Sequence, residues 1–245
     1  MPLNRTTWPV HLGRLVIALC LPILLVTSSV LLVTGLKPFY AYAFAKYHIS
    51  DVTGVPDPQL VDAAEQIMAY FSTPAEPLDV EVNIGGLQRP LFNQKEVDHM
   101  RDVKQLFLKA RIAEVGSGLL AMVVMGALLA RGGVRGRWAV ASGLVWGGGI
   151  ALGLLIAAVA GVLTDFDGLF IQFHLLSFSN DFWQLDPRKD ILVMMFPLEF
   201  WVDATLLIAV ITAVVAALLY GLGWYLLGRL YAGPSASGPA PETMA

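Results

Sequence analysis

The stretch Leu91–Phe107, LFNQKEVDHMRDVKQLF, predicts a helix that begins in water and runs towards a membrane span with a histidine on its inner face. Asn93 can accept from the free N–H groups of the first turn, and Glu96, three residues on, can reach back to the cap residue, an Asn-x-x-Glu form of the capping box. Beyond it, Val103, Leu106, Ala110 and Ala113 recur at three- and four-residue spacing and form one apolar stripe, with His99 four residues before Val103 in the same stripe. The imidazole is therefore expected to point inward. Asp102 lies one turn on, in place to bond a ring nitrogen and fix its tautomer, and Asp98 points more sideways. Read alone, the position fits a satisfied interior histidine equally well.

Working outward, a chain that is 56% hydrophobic and only 14% charged, with mean hydropathy +0.66, is too apolar for a water-soluble domain of this length. Four apolar runs are long enough to span a bilayer: about Leu15 to Leu36, Val115 to Ala130, Trp138 to Leu163 and Val202 to Gly228. The fold class expected is an all-α integral membrane protein of four transmembrane helices with a small extracytoplasmic cap of short helices and a β-hairpin. The first run lacks a small-residue cleavage site and is expected to be retained as a span. Arg5, Arg14, Arg131, Arg135, Arg137 and Arg229 flank the spans on one side, which puts both termini in the cytoplasm and segments 37–113 and 164–201 outside. A single domain, 1–232, then ends in a Pro-, Ser-, Gly- and Ala-rich cytoplasmic tail, 233–245, expected to be disordered.

Within the outer segments, FYAYAFAKY (39–47) reads as an aromatic stretch at the headgroups. Asp57-Pro58 reads as the start of a short helix with Leu60, Val61, Ala64, Ile67, Met68 and Phe71 on one face. LDVEVNI before Gly85-Gly86 alternates as a strand should and predicts a small hairpin. Asp186-Pro187 is expected to cap a second short apolar element, Ile191 to Phe196, lying in or dipping into the interface. Lys109, Arg111 and Glu114 are candidates for binding polar headgroups if they face a wet cavity.

The chemistry available is narrow. G-x-S-x-G, H-E-x-x-H, P-loop and S-x-x-K motifs are all missing, and the single cysteine, Cys20, falls inside the first span. No disulfide framework or thiolate metal site is possible. A net charge of −3 without a basic cluster gives no sign of a nucleic-acid partner. What remains is imidazole. His99 and His174 stand on opposite outer segments and can act as base and acid in acyl transfer, or one can be a nucleophile through an acyl-imidazole. Haem ligation would need histidines facing each other within the spans. A metal held by His99, His174, Asp98 and Asp102 has no spacing signature behind it. His11, before the first span, and His48, with no carboxylate one helical turn away, are expected to be dispensable.

The run LF-x3-E-x2-HM-x-DVK, here Leu91-Phe92, Glu96, His99-Met100 and Asp102-Val103-Lys104, resembles a signature of the integral membrane family that includes the lipoprotein intramolecular transacylases of Gram-positive bacteria. So does FH-x3-F-x-N-x2-W-x-LDP with a following FP-x2-F, here Phe173-His174, Phe178, Asn180, Trp183, Leu185-Asp186-Pro187 and Phe196-Pro197 with Phe200. The resemblance covers nearly the whole chain. It implies an acyltransferase of the bacterial cytoplasmic membrane that moves the sn-2 acyl chain of a diacylglyceryl-cysteine lipoprotein to the cysteine α-amine, leaving a lyso-form. It implies His99 and His174 as the catalytic pair, with Asp102, Asp98, Glu96, Asn180 and Trp183 in support, diacylglyceryl lipoproteins and membrane lipids as partners, and no cofactor or metal. The alternatives are a lipid- or lipoprotein-binding membrane protein without chemistry, and a deacylase that passes the acyl group to water.

Overall fold

The structure, a computed structural model, describes residues 8–232. Arg5 and the tail 233–245 lie outside the described residues. The elements in order are α1 (Trp8–Thr34), α2 (Lys37–Lys46), α3 (Ile49–Thr53), α4 (Asp57–Tyr70), β1 (Glu81–Ile84), β2 (Leu87–Pro90), α5 (Gln94–Arg131), α6 (Gly133–Ser177), α7 (Ile191–Met195) and α8 (Leu198–Tyr231). Among the described residues, α1, α5, α6 and α8 are long and apolar enough to cross a membrane, as the hydropathy required. With 38 residues, α5 is about 57 Å long and overruns a hydrocarbon core of about 30 Å.

Small residues bring the spanning helices together. A Cβ on Gly143 would stand 2.9 Å from Ile17 and one on Gly147 2.7 Å from Leu21, where α6 meets α1. A Cβ on Gly148 would stand 2.8 Å from the Ala216 carbonyl, and one on Gly223 2.7 Å from the Ala141 carbonyl, where α6 meets α8. Lipid tails give no hydrophobic reward for helix association, so this close contact holds the bundle together. Two hydrogen bonds add to it: Thr212 Oγ1 donates to Ser29 Oγ at 2.9 Å, and Ser28 Oγ donates to Glu114 Oε1 at 2.9 Å. Glu114 is thus a tie between α1 and α5.

At the other end, α2, α3, α4, β1, α7 and the start of α8 share one core that includes Phe44, Leu60, Val82, Met195 and Phe200. The 39–47 stretch is not spread on the headgroups. Phe39, Tyr40, Ala43 and Phe44 form one face of α2 and are buried, with Phe44 5.8 Å from Phe196 and Phe39 5.1 Å from Phe200, and Tyr42 turns outward. In α4, Leu60, Ala64 and Ile67 are buried as expected, joined by Ala63 and Tyr70. The hairpin forms with Gly85 and Gly86 at φ 64° and 85°, the left-handed pair that a two-residue turn needs. For α7 the N-cap is Asp190, not Asp186, and Leu192 and Met195 are buried in the cap core instead of facing lipid.

Candidate active site

His99 is placed by the start of α5. Asn93 Oδ1 accepts from Glu96 N at 3.2 Å and Glu96 Oε2 accepts from Asn93 N at 2.7 Å, completing the capping box. The other carboxylate oxygen, Oε1, accepts from Leu192 N at 2.6 Å, so one side chain satisfies orphan N–H groups of two helices, α5 and α7. Asn93 Nδ2 in turn donates to Asp190 Oδ1 at 2.9 Å, and Asp190 Oδ2 accepts from Asp186 N at 2.7 Å. Glu96 is 1% exposed and Asp190 3%. Burial pushes the Glu96 carboxyl above its ordinary pKa, and the nearby Asp190 adds to that push, against the pull of the backbone donors.

His174 is placed by a break in α6. Asp165 leaves helical geometry (φ −159°, ψ 77°), and its Oδ1 accepts from Gly168 N at 2.9 Å, which caps a new helical segment, 166–177. The segment after the third span is therefore helical as far as Ser177, and Phe166, Phe170 and His174 fall on one face at four-residue spacing. His174 Nδ1 donates to the Phe170 carbonyl at 2.7 Å. A carbonyl only accepts, so the proton sits on Nδ1 and the lone pair on Nε2.

The two histidines meet with ring centroids 6.0 Å apart, and both are buried. Phe178 lies 5.2 Å from His99 and 5.6 Å from His174, Phe170 4.3 Å from His174, and Trp183 5.1 Å from His174. Burial, first, and the facing His174, second, lower the His99 pKa to about 4, while Asp102 acts in the opposite direction. Burial lowers the His174 pKa as well, against the pull of the Phe170 carbonyl. Both rings are neutral at pH 7.

The supporting residues divide. Asp102 does not bond a His99 ring nitrogen: His99 Nδ1 is buried without a partner, and Asp102 Oδ2 accepts from Asn180 Nδ2 at 2.7 Å. A partner 78 residues away out-competes the one on the same helix. Asp98 turns to Gln94 Nε2 at 3.0 Å and Arg101 at 3.6 Å, away from the ring. Trp183 lies against His174, and Asn180 reaches α5 through Asp102. Sequence reasoning gave Phe178 no role beyond its place in a motif and passed over Phe170, Asp190 and Lys95, whose Nζ donates to the Gln184 carbonyl at 2.5 Å. The four-residue spacing from Phe170 to His174 was a usable signal, whereas Lys95 gave none. His48 has a carboxylate one turn away after all, since Asp51 is helical, but the 4.0 Å pair is about four-fifths exposed and far along the chain from the site.

Among the described residues, no three His, Cys, Asp or Glu side chains gather as a metal ion would require. A cavity of about 600 Å³ opens between the end of α4 and the opposite face of α5, lined by Phe71, Pro74, Lys104 and Arg111, and holds neither histidine. The two histidines sit instead under an aromatic cover.

A family model described as lipoprotein intramolecular transacylase Lit matches residues 15–201. Among solved structures, the membrane-integral lipoprotein intramolecular transacylase Lit from Bacillus cereus superposes with a TM-score of 0.76 at 22% identity, covering 89% of this chain and 96% of that one. Two further structures of that protein, one with a histidine replaced by arginine and one with it replaced by alanine, superpose with TM-scores of 0.72 at 21% identity. They cover 89% of this chain and 92% and 94% of their own. No curated protein matches. At such identities the structural likeness is one of fold.

Proposed function

Because the chain belongs to the Lit family of lipoprotein intramolecular transacylases, and is on that ground a membrane acyltransferase, we propose that it moves the sn-2 acyl chain of a diacylglyceryl-cysteine lipoprotein to the α-amine of that cysteine, with His99 and His174 as the reacting pair. The observation that carries the reading is the pair itself: two neutral, buried imidazoles 6.0 Å apart, one with an unpartnered nitrogen, in a site without a serine or cysteine nucleophile.

The tautomer of His174 makes it the base. Its Nε2 lone pair takes the proton that the α-amine sheds as nitrogen attacks the ester carbonyl. His99 is the electrophilic partner: a neutral imidazole N–H can polarise the carbonyl as charge builds on its oxygen. The C–O bond to glycerol then breaks, and the proton held by His174 passes to the glycerol oxygen. Donor and acceptor belong to one molecule, so positioning supplies much of the acceleration and no second acyl donor is consumed.

Charge supports one orientation across the membrane. Gly13 lies against Leu128 and Gly223 against Ala141, so Arg14, Arg131, Arg135, Arg137 and Arg229 share the end opposite the histidines. Positive residues favour the cytoplasm, which turns the histidines outward. The test is mass spectrometry of lipoprotein N-termini from a host that makes diacylglyceryl lipoproteins, with and without this chain. An N-acylated lyso-form is the expected product. An unchanged diacyl form points to binding without chemistry, and a free-amine lyso-form points to a deacylase.

A further inference from the structure

The seven residues Phe178–Gln184 after α6 have no regular structure, yet they are fastened to α5 at two points. Asn180 Nδ2 donates to Asp102 Oδ2 at 2.7 Å, and Lys95 Nζ donates to the Gln184 carbonyl at 2.5 Å. Lys95 stands four residues before His99 and Asp102 three after, so the fastenings bracket the histidine, one turn to either side. Asn180 Oδ1 also accepts from Phe182 N at 3.1 Å, so one amide fixes both the loop's own turn and its attachment. Phe178, two residues before the first fastening, lies against both imidazoles, and Trp183, between the two, lies against His174. His99 is 7% exposed and His174 8%. The segment is a strap with an aromatic underside.

An ester activated between two imidazoles is open to two attackers. If the amine attacks, an N–C bond forms, the ester C–O bond breaks, and the amine proton goes by way of the imidazole to the glycerol oxygen. If water attacks, an O–C bond forms, the same C–O bond breaks, and a proton of water goes to that oxygen, releasing a fatty acid and a free-amine lyso-form. At pH 7 only about a tenth of an α-amine with a pKa near 8 is free to attack, so holding the amine nearby does not by itself secure the outcome. Water has to be kept out. We infer that the strap 178–184, held shut by Asn180–Asp102 and Lys95–Gln184, directs the acyl group to the amine and away from water. The inference rests on the acyl-transfer reading and assigns Asn180, Asp102 and Lys95 as positioning residues for product choice.

The experiment uses the full chain in lipid vesicles with a synthetic diacylglyceryl-cysteinyl peptide in ¹⁸O-labelled water. N-acyl lyso-peptide, free-amine lyso-peptide and ¹⁸O in the released fatty acid are measured by mass spectrometry. Asn180→Ala and Lys95→Met should each raise the hydrolysed fraction about tenfold or more, the size expected for loss of one charge-assisted hydrogen bond, and the double variant should raise it further. Asp102→Asn keeps an acceptor for Asn180 and should preserve the wild-type product ratio, while Asp102→Ala should not. Should Asn180→Ala fail to fold, Lys95→Met carries the same expectation, because it keeps the stem of the side chain and removes only the donor. Parallel loss of both products, or an unchanged ratio in the folded variants, overturns the strap's role and leaves acyl transfer standing. A wild-type protein that makes only the free-amine product overturns the acyl-transfer reading, and the strap's assignment with it.

Discussion

The spanning bundle and the cap of this molecule are held together by different means. In the bundle, Gly148 and Gly223 let α6 and α8 approach to backbone contact, and the two polar ties, Ser29–Thr212 and Ser28–Glu114, are accessories. In the cap, a buried carboxylate pair, Glu96 and Asp190, organises the starts of α5 and α7 and so fixes where His99 stands. The difference follows from the solvent. Lipid rewards close packing of small residues, whereas an aqueous cap can bury apolar surface and can afford ionisable groups only where backbone donors meet them.

The comparison predicts where damage will fall. The largest effect belongs to Gly223→Leu: a side chain there meets the Ala141 carbonyl and Val145, and overpacking against backbone costs more than the usual 1–3 kcal/mol, so about none of the protein should be recovered assembled in detergent. Glu96→Ala comes next. It strands the N–H groups of Asn93 and Leu192, each costing about 1–3 kcal/mol. Hydrogen exchange should rise around α7 and the first turn of α5 while the spanning helices stay protected. Equal loss of protection in both halves would dissolve the distinction.

Acid should separate the halves as well. His99 has its folded pKa lowered to about 4, so between its unfolded value near 6.5 and about 4 the opened state takes up a proton that the closed state refuses. Stability of the cap is therefore full above about 6.5 and falls as pH drops, by up to about 3 kcal/mol. Exchange at the start of α5 measured from pH 7 to pH 4.5 reads this. Turnover should rise towards pH 8 with the substrate amine and show no separate step at 6.5. The smallest effect is His48→Ala, expected to leave turnover within about twofold of wild type, because its pair with Asp51 is solvent-exposed and surface pairs contribute little.

Local rules carried the sequence reading a certain distance. The capping box at Asn93 and Glu96, the inward turn of His99 and the Gly85-Gly86 hairpin are each set by residues within four of one another, and all three formed. Asp102 also obeys its spacing, but its bond goes to Asn180, a partner supplied by tertiary structure that helical spacing cannot name. The helix through Ser177 was hidden for a related reason. An aspartate that ends one helix and caps the next, as Asp165 does, is written in sequence as a loop residue is. The share of Glu96 in α7, and the choice of Asp190 over Asp186 as its cap, likewise depend on chain segments about a hundred residues apart.

The central claim is that His99 and His174 work as one unit, and it is tested most directly by the rate of N-acyl lyso-lipoprotein formation in His99→Ala, His174→Ala and the double variant, each confirmed to be inserted at wild-type level. Removing a general acid–base group costs about 10²–10⁴ in rate, and members of one unit are non-additive, so each single variant should lose most turnover and the double should be scarcely worse. A well-inserted His174→Ala protein that still forms the N-acylated product at close to the wild-type rate would contradict the account and leave His174 a buried structural histidine.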